Sequence, residues 1–293
     1  MKNTLIIDGH NLAFRAYHLI KAKVEKEQMI HHKDEIIYIF LNSFISYYKM
    51  AQFDSVIFAW DHKLDYEHKN FRKSLSPYKE NRTHDDDTVI FDIIDEILTI
   101  TESLGCKNIL PKSLEADDII YYICKNKSGK KFVVSSDKDL LQIVDEDTTV
   151  YSPIKKIVYN NDNFLHLVGM TTDQFIIYKA ILGDTSDNIT GVPKYGTKKS
   201  FKLATNWDIN QLPEEHHPIV INNLNIMDLS LAKNFVDEGE FEYFEQQYNI
   251  SNSFNESKIK EIFKEKGFKK FLFNFHEWLK LQSAEFDIYD LFE

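Results

Sequence analysis

The sequence predicts an α/β protein: a mainly parallel sheet flanked by helices, followed by a helical C-terminal region. Three observations predict it. Short, uninterrupted apolar runs alternate with segments of helical spacing through the first half of the chain. Several of those runs end in an acid. Beyond residue 170 the runs give way to helical periodicity.

Residues 4–8 (TLIID) make a short buried strand ending in Asp8. Gly9 and Asn11 supply turn chemistry, and LAFRAYHLI then has helical spacing. Residues 35–50 make a second, apolar-rich helix. Residues 55–61 (SVIFAWD) are another buried strand, again ending in Asp. Residues 89–104 are amphipathic, with Ile90, Ile93, Ile94, Ile97, Leu98 and Leu104 at helical intervals before Gly105 stops the helix. CKNIL can form a strand, and Glu115 opens a helix running to Lys125. Residues 131–134 (KFVV) are a strand leading into SSDKD, and residues 148–151 are the last short strand. Helices follow at 172–182, 197–205 and through much of 219–280, with NNLNIMDL ambiguous.

The expected division is an acidic-rimmed α/β core at 1–165 and a helical region at 166–293. The core includes a short connecting segment at 78–114, and the helical region carries a helix–hairpin–helix at 172–205. The boundary is soft, since nothing near it has the composition of a flexible linker. No repeat or low-complexity segment interrupts the chain.

Composition narrows the class. Hydrophobic content is 43% over 293 residues, ordinary for a globular protein. No apolar run approaches the roughly 18 residues of a membrane span. MKNTLIIDGH turns polar too soon for a secretory signal. Cys106 and Cys124 are the only cysteines, so a reduced, cytoplasmic setting is expected rather than a disulfide framework. The net charge of −11 argues, taken alone, against a nucleic-acid partner. Carboxylates that hold divalent cations would reverse that argument, so placement matters more than the total.

Placement is informative. In a parallel α/β sheet the ligand site lies at the carboxyl ends of the strands. Nine acids fall at element ends: Asp8, Asp61, Glu115, Asp117, Asp118, Asp137, Asp139, Asp184 and Asp187. Each alone has a structural reading; Asp8 and Asp184 could cap helices, and Asp137 and Asp139 could form a solvated turn. Together they suit hard, oxygen-binding cations such as Mg²⁺, and no Cys/His spacing suits zinc. Two such ions fit in-line displacement at a phosphodiester.

Two further segments agree. FRKSLSPYKENR at 71–82 brings Arg72, Lys73, Lys79 and Arg82 after an acid-ended strand. It is either a solvated basic loop or a place where Lys79 and Arg82 reach a scissile phosphate and Tyr78 stacks on a base or sugar. ILGDTSDNITGVPKYGTKKS at 181–200 reads as a helix ending at Gly183, a hairpin with Gly191, Pro193 and Gly196, and a helix opening with Thr197, Lys198 and Lys199. Such a unit is a plain packing corner or a grip on a duplex backbone without base reading.

The motifs IIDGHNLAFRAYH, YKENR, EADDII, VVSSDKDLLQIV and GDTSDNITGVPKYGTKKS occur in the order and approximate spacing of the 5′-nuclease (flap endonuclease) superfamily. The chain resembles that superfamily over nearly its whole length, in particular free-standing bacteriophage 5′-exonucleases and the 5′-nuclease domain of bacterial DNA polymerase I. The resemblance implies a PIN-like core with a helix–hairpin–helix region. It implies a Mg²⁺-dependent 5′ nuclease, with two or more ions and Mn²⁺ as a substitute, acting on flapped or nicked duplex DNA and RNA–DNA primers. It assigns Asp61, Glu115, Asp117 and Asp118 mainly to one ion, and Asp137, Asp139, Asp184 and Asp187 to the second, with Asp8 nearby. It matches Tyr78, Lys79 and Arg82 to the base of a helical arch. Gly191, Val192, Gly196 and Lys198 match the hairpin that holds duplex DNA and commonly binds K⁺. Arg72, Lys194 and Lys199 complete the expected basic footprint.

The chain departs from the pattern in three ways. Lys194 stands where the family hairpin usually has Gly; if that position needs a positive φ, lysine costs on the order of 1 kcal/mol, and it either weakens the K⁺ site or adds a phosphate contact. The segment after Arg82 is short and reads THDDDTVIF, without Lys or Arg, so a closed basic arch is not expected. No polymerase sequence follows, so a free-standing nuclease is expected; a monomer is expected as well. The rival readings are a PIN-type ribonuclease, which lacks the hairpin, and a branched-DNA-binding protein without cleavage. The terminal EFDIYDLFE either docks on a replication protein or is an ordinary chain end.

Overall fold

A computed structural model of the chain describes residues 2–61, 70–80, 88–236 and 238–282. Arg82, most of THDDDTVIF and the terminal EFDIYDLFE lie outside the described residues.

Six strands form one sheet: β1 (Asn3–Asp8), β2 (Ser55–Ala59), β3 (Lys107–Ile109), β4 (Lys130–Val134), β5 (Thr148–Ser152) and β6 (Ile157–Tyr159), in the order β3-β2-β1-β4-β5-β6. The first five are parallel, in register Leu5↔Val56 and Leu5↔Phe132 around the central β1. β6 is antiparallel to β5 at the edge, so the strand at 148–151 is not the last.

Helices cover both faces: α1 (Gly9–Lys21), α2 (Lys33–Tyr48), the single turn α3 (Arg72–Leu75), α4 (Thr88–Ser103) and α5 (Ala116–Asn126). The alternation of β1 divides the core. Leu5 and Ile7 pack with Phe58 against α1, α2 and α4, while Ile6 packs with Ile57 and Val133 against α5. Burial on both sides is why these strands are continuous apolar runs.

The helical half comprises α6 (Phe164–Val168), α7 (Thr172–Leu182), α8 (Thr197–Thr205), α9 (His217–Met227), α10 (Glu238–Asn249), α11 (Glu256–Glu265), α12 (Lys269–Phe273) and α13 (Phe275–Leu279). The ambiguous NNLNIMDL falls largely in α9. Between α7 and α8 lies a two-residue ladder, β7 (Gly183–Asp184) against β8 (Ile189–Thr190). Its glycines are required by the close approach of two backbones. Gly183 has φ +76, and a Cβ on Gly191 would lie 2.0 Å from the Leu182 carbonyl oxygen.

Packing crosses the division expected near residue 165. Phe263, Phe271 and Trp278 belong to the same core as Leu5 and Phe44. Tyr38 of α2 stacks on Phe271 at 4.5 Å. Helix α10 in turn fixes the approach to α5. Glu240 accepts the Lys112 N–H at 2.7 Å and the Ser113 hydroxyl at 2.9 Å. No helix among the described residues is long and apolar enough to cross a membrane.

Candidate active site

The carboxyl edge of the sheet opens into a cleft of about 610 Å³. Seven of the nine predicted acids line it: Asp8, Asp61, Glu115, Asp117, Asp137, Asp139 and Asp187.

Asp8 is the last residue of β1 and the N-cap of α1. Its carboxylate accepts the Asn11 N–H at 2.9 Å and the Ser135 hydroxyl at 2.8 Å. Burial, and then the nearby Asp61 and Asp137, push its carboxyl up to about 7 against the hydrogen bonds from Asn11 and Ser135. Asp61 lies two residues beyond β2 and accepts the Ala116 N–H at 2.7 Å, tying that loop to the start of α5. His10 accepts the Asp61 N–H on Nδ1 at 2.9 Å, which holds the ring against the Asp61 loop.

Glu115 caps α5. It is met by Lys79 Nζ at 2.7 Å, Asn70 Nδ2 at 2.9 Å and the Tyr78 hydroxyl at 2.9 Å. Burial opposes its charge, but Lys79 and Arg72 overcome burial and hold the carboxyl down at about 2. Asp117 has the opposite surroundings. Burial and four carboxylates, Asp137, Asp8, Asp61 and Glu115, raise it well above the usual range. No hydrogen bond reaches its carboxylate from the described residues.

Asp137 and Asp139 follow β4, and the Asp139 N–H donates to Asp137 at 2.8 Å. Burial raises both, and the neighbouring Asp137 helps carry Asp139 to about 6. Lys179, in the last turn of α7, bridges Asp139 at 2.8 Å and Asp184 at 2.5 Å. Burial favours its neutral amine, yet the two carboxylates hold it protonated. Asp184 also accepts from the Ser186 backbone and hydroxyl and, despite burial, falls to about 2.

The structure corrects three expectations. Asp118 does not face the cleft. Both its oxygens are taken by the Arg72 guanidinium at 2.6 and 2.8 Å. Arg72 is for the same reason not a surface contact; it is 2% exposed and also donates to the Ile226 carbonyl. Tyr78 is 4% exposed, its ring packed with Ile189, Ile226 and Met227, so it offers no face to a base. At the hairpin, Val192 packs its side chain in the small core of the helical half and donates its N–H to the Ile181 carbonyl.

The exposed basic group is Lys194, Lys198 and Lys199. Lys194 has φ +68, so the strain expected of a lysine in the glycine position is present. Gly196 is the N-cap of α8, with nothing within 4 Å of where a Cβ would stand, which leaves the first turn of that helix open. The hairpin is stapled to the cleft. Lys79 donates its backbone N–H to the Asp187 carbonyl at 2.9 Å, and Asn188 Nδ2 donates to the Pro77 carbonyl at 2.6 Å.

Among the described residues no three acidic, His or Cys side chains already converge as a finished metal ligand set. The donor chemistry nevertheless fits a hard cation. The cleft is lined with carboxylate oxygens, and Asp117 sits among four like charges with no protein cation against it. Asp8, Asp61, Asp117, Asp137, Asp139 and Asp187 line the cleft, and Asp184 is bonded to Lys179 and Ser186. Sequence reasoning missed His10, Asn70, Ser135 and Lys179. Of these, only Lys179 left a signal, a basic residue five positions before Asp184 at the end of a helix.

Residues 3–169 match the family model described as the 5′-3′ exonuclease, N-terminal resolvase-like domain. A protein named 5′-3′ exonuclease from Mycoplasma pneumoniae is 33% identical over 215 residues, which span 69% of this chain and 72% of that one. DNA polymerase I of Streptococcus pneumoniae is 32% identical over 213 residues, 69% of this chain but 24% of the polymerase. Among solved structures, T5 5′-exonuclease with bound zinc shares the fold, with a TM-score of 0.68 at 21% identity over 84% of this chain and 97% of that one. The chain belongs to the 5′-3′ exonuclease family.

Proposed function

We propose that this chain is a structure-specific 5′ nuclease that cuts phosphodiester bonds of branched or nicked duplex DNA with Mg²⁺ at the acidic cleft. The observation that carries the reading is Asp117, ringed by Asp137, Asp8, Asp61 and Glu115 at the carboxyl edge of the sheet. Divalent cations bound there would activate water and stabilise the leaving oxygen.

The chain's own residues do the rest. Asp8, Asp61, Asp117 and Asp137 hold one end of the cation cluster, and Asp139, Asp184 and Asp187 the other. Lys79 keeps its ammonium at the cleft through Glu115, beside the place where a phosphate meets the acids. Lys194, Lys198, Lys199 and the open first turn of α8 contact duplex phosphates without reading bases. The bonds from Pro77 and Lys79 to the hairpin turn set the distance between the held duplex and the cut. A 5′ end and RNA–DNA primers are the proposed substrate features.

The test is cleavage of a 5′-labelled flap with Mg²⁺, with EDTA, and by Asp137→Asn. Cutting near the junction that is lost in both controls supports the reading. Binding without cutting under Mg²⁺ and Mn²⁺ overturns it.

A further inference from the structure

Lys179 is a half-buried cation beside the cleft that the reaction above leaves without a role. Its side chain is 12% exposed, and its ammonium is shared between Asp139 Oδ1 at 2.8 Å and Asp184 Oδ2 at 2.5 Å. The two carboxylates come from different halves of the molecule. Asp139 follows β4, and Asp184 sits in the hairpin ladder. The lysine is rigidly delivered: α7 begins at a Thr171 capping box, and the next residue, Ala180, is fully buried with its carbonyl bonded to Asn223.

We propose that Lys179 is a built-in counter-ion that competes with a divalent cation for Asp139 and Asp184. The inference rests on the reading that divalent cations bind this edge. A carboxylate oxygen already paired with an ammonium has less to offer a metal, and two cations on the same pair of oxygens repel. In the metal-free protein the lysine holds the sheet edge and the hairpin together. A cation taking its place has to displace the ammonium, which leaves an ion at Asp139 and Asp184 answerable to Lys179. The lysine thereby sets the affinity of that ion and prevents the two acids from repelling when no metal is bound.

The test is calorimetric titration of metal-free protein with Mn²⁺, without DNA, for the natural chain, Lys179→Met and Lys179→Arg. Thermal melting and circular dichroism verify folding of each. Lys179→Met is expected to bind the ion at Asp139 and Asp184 about tenfold more tightly or better, the scale of one lost charged hydrogen bond. Lys179→Arg keeps the charge and is expected to stay near the natural affinity. If the natural chain takes up Mn²⁺ and Lys179→Met binds it equally or more weakly, the competition is refuted while the nuclease reading stands. If neither takes up Mn²⁺, the cation reading fails and this inference fails with it. If Lys179→Met melts too low to titrate, Lys179→Gln, which keeps hydrogen-bonding capacity without charge, carries the same expectation.

Discussion

Arg72 grips Asp118 with both terminal nitrogens, at 2.8 and 2.6 Å, and the two side chains are 3% and 1% exposed. The same guanidinium donates Nε–H to the Ile226 carbonyl at 2.8 Å, so one side chain ties α3, α5 and the end of α9 together behind the cleft. Removing either partner strands a buried charge. Arg72→Ala or Asp118→Ala is expected to lose about 3–5 kcal/mol of stability in urea unfolding. The Arg72→Met/Asp118→Leu pair is expected to lose much less than the sum of the two single changes. A stability loss under about 1 kcal/mol for Arg72→Ala would return Arg72 to the surface role read from the sequence.

Asp117 is the acid with like charges on every side. Asp117→Asn is expected to reduce metal-dependent cleavage at least about a hundredfold. The same variant, in EDTA, is expected to melt higher than the natural chain, because one repelling carboxylate is gone. Flap cleavage and thermal melting read the two effects separately. A variant that loses stability as well as activity would make Asp117 a structural residue.

The metal-free cleft makes stability depend on pH with a sign opposite to that of an ordinary surface acid. Asp8 and Asp139 are raised from 3.8 to about 7 and about 6. Each therefore holds a proton in the folded state that the unfolded chain has already released. Their contribution is complete below the unfolded value and is lost as pH rises through about 6 and 7. Glu115 and Asp184, held near 2, contribute fully over that window and do not offset the loss. Stability in EDTA is expected to fall by about 2–4 kcal/mol between about pH 5 and about pH 8. Urea unfolding at both pH values measures it, and Asp8→Asn should flatten the slope.

Lys194 adopts φ +68 on an exposed turn. Lys194→Gly is expected to stabilise the chain by about 1 kcal/mol. If the side chain also meets a duplex phosphate, the salt dependence of DNA binding falls by about one charge. Unfolding and salt-titrated binding separate these. A Gly variant with unchanged stability would show that the turn relaxes around lysine.

The sheet and its acidic edge were legible because each strand carries its own evidence: an apolar run, then an acid. Asp8, Asp61, Asp137 and Asp139 follow from that local pattern. β6 was not legible, since IVY is three residues long at an edge where one face gives little periodicity. The divergence of Asp117 and Asp118 was not legible either. Adjacent residues at a helix start point different ways, and only the fold brings Arg72, 46 positions from Asp118 in the chain, onto the second of them. Tyr78 was misread for a related reason. Its neighbour Lys79 has evident site chemistry, but its own side chain answers to a core assembled from distant segments. Lys179 left one signal, its place five positions before Asp184, but nothing local in the chain shows Asp139 opposite it.

The most direct test of the cleft as a divalent-cation site is the melting temperature of the natural chain and of Asp117→Asn, each in EDTA and in Mg²⁺. A cation at about 100 times its dissociation constant adds about 2.7 kcal/mol. The natural chain is therefore expected to melt several degrees higher in Mg²⁺, and Asp117→Asn to gain little or nothing. Equal melting temperatures of the natural chain with and without Mg²⁺, or an undiminished rise in Asp117→Asn, would contradict the account.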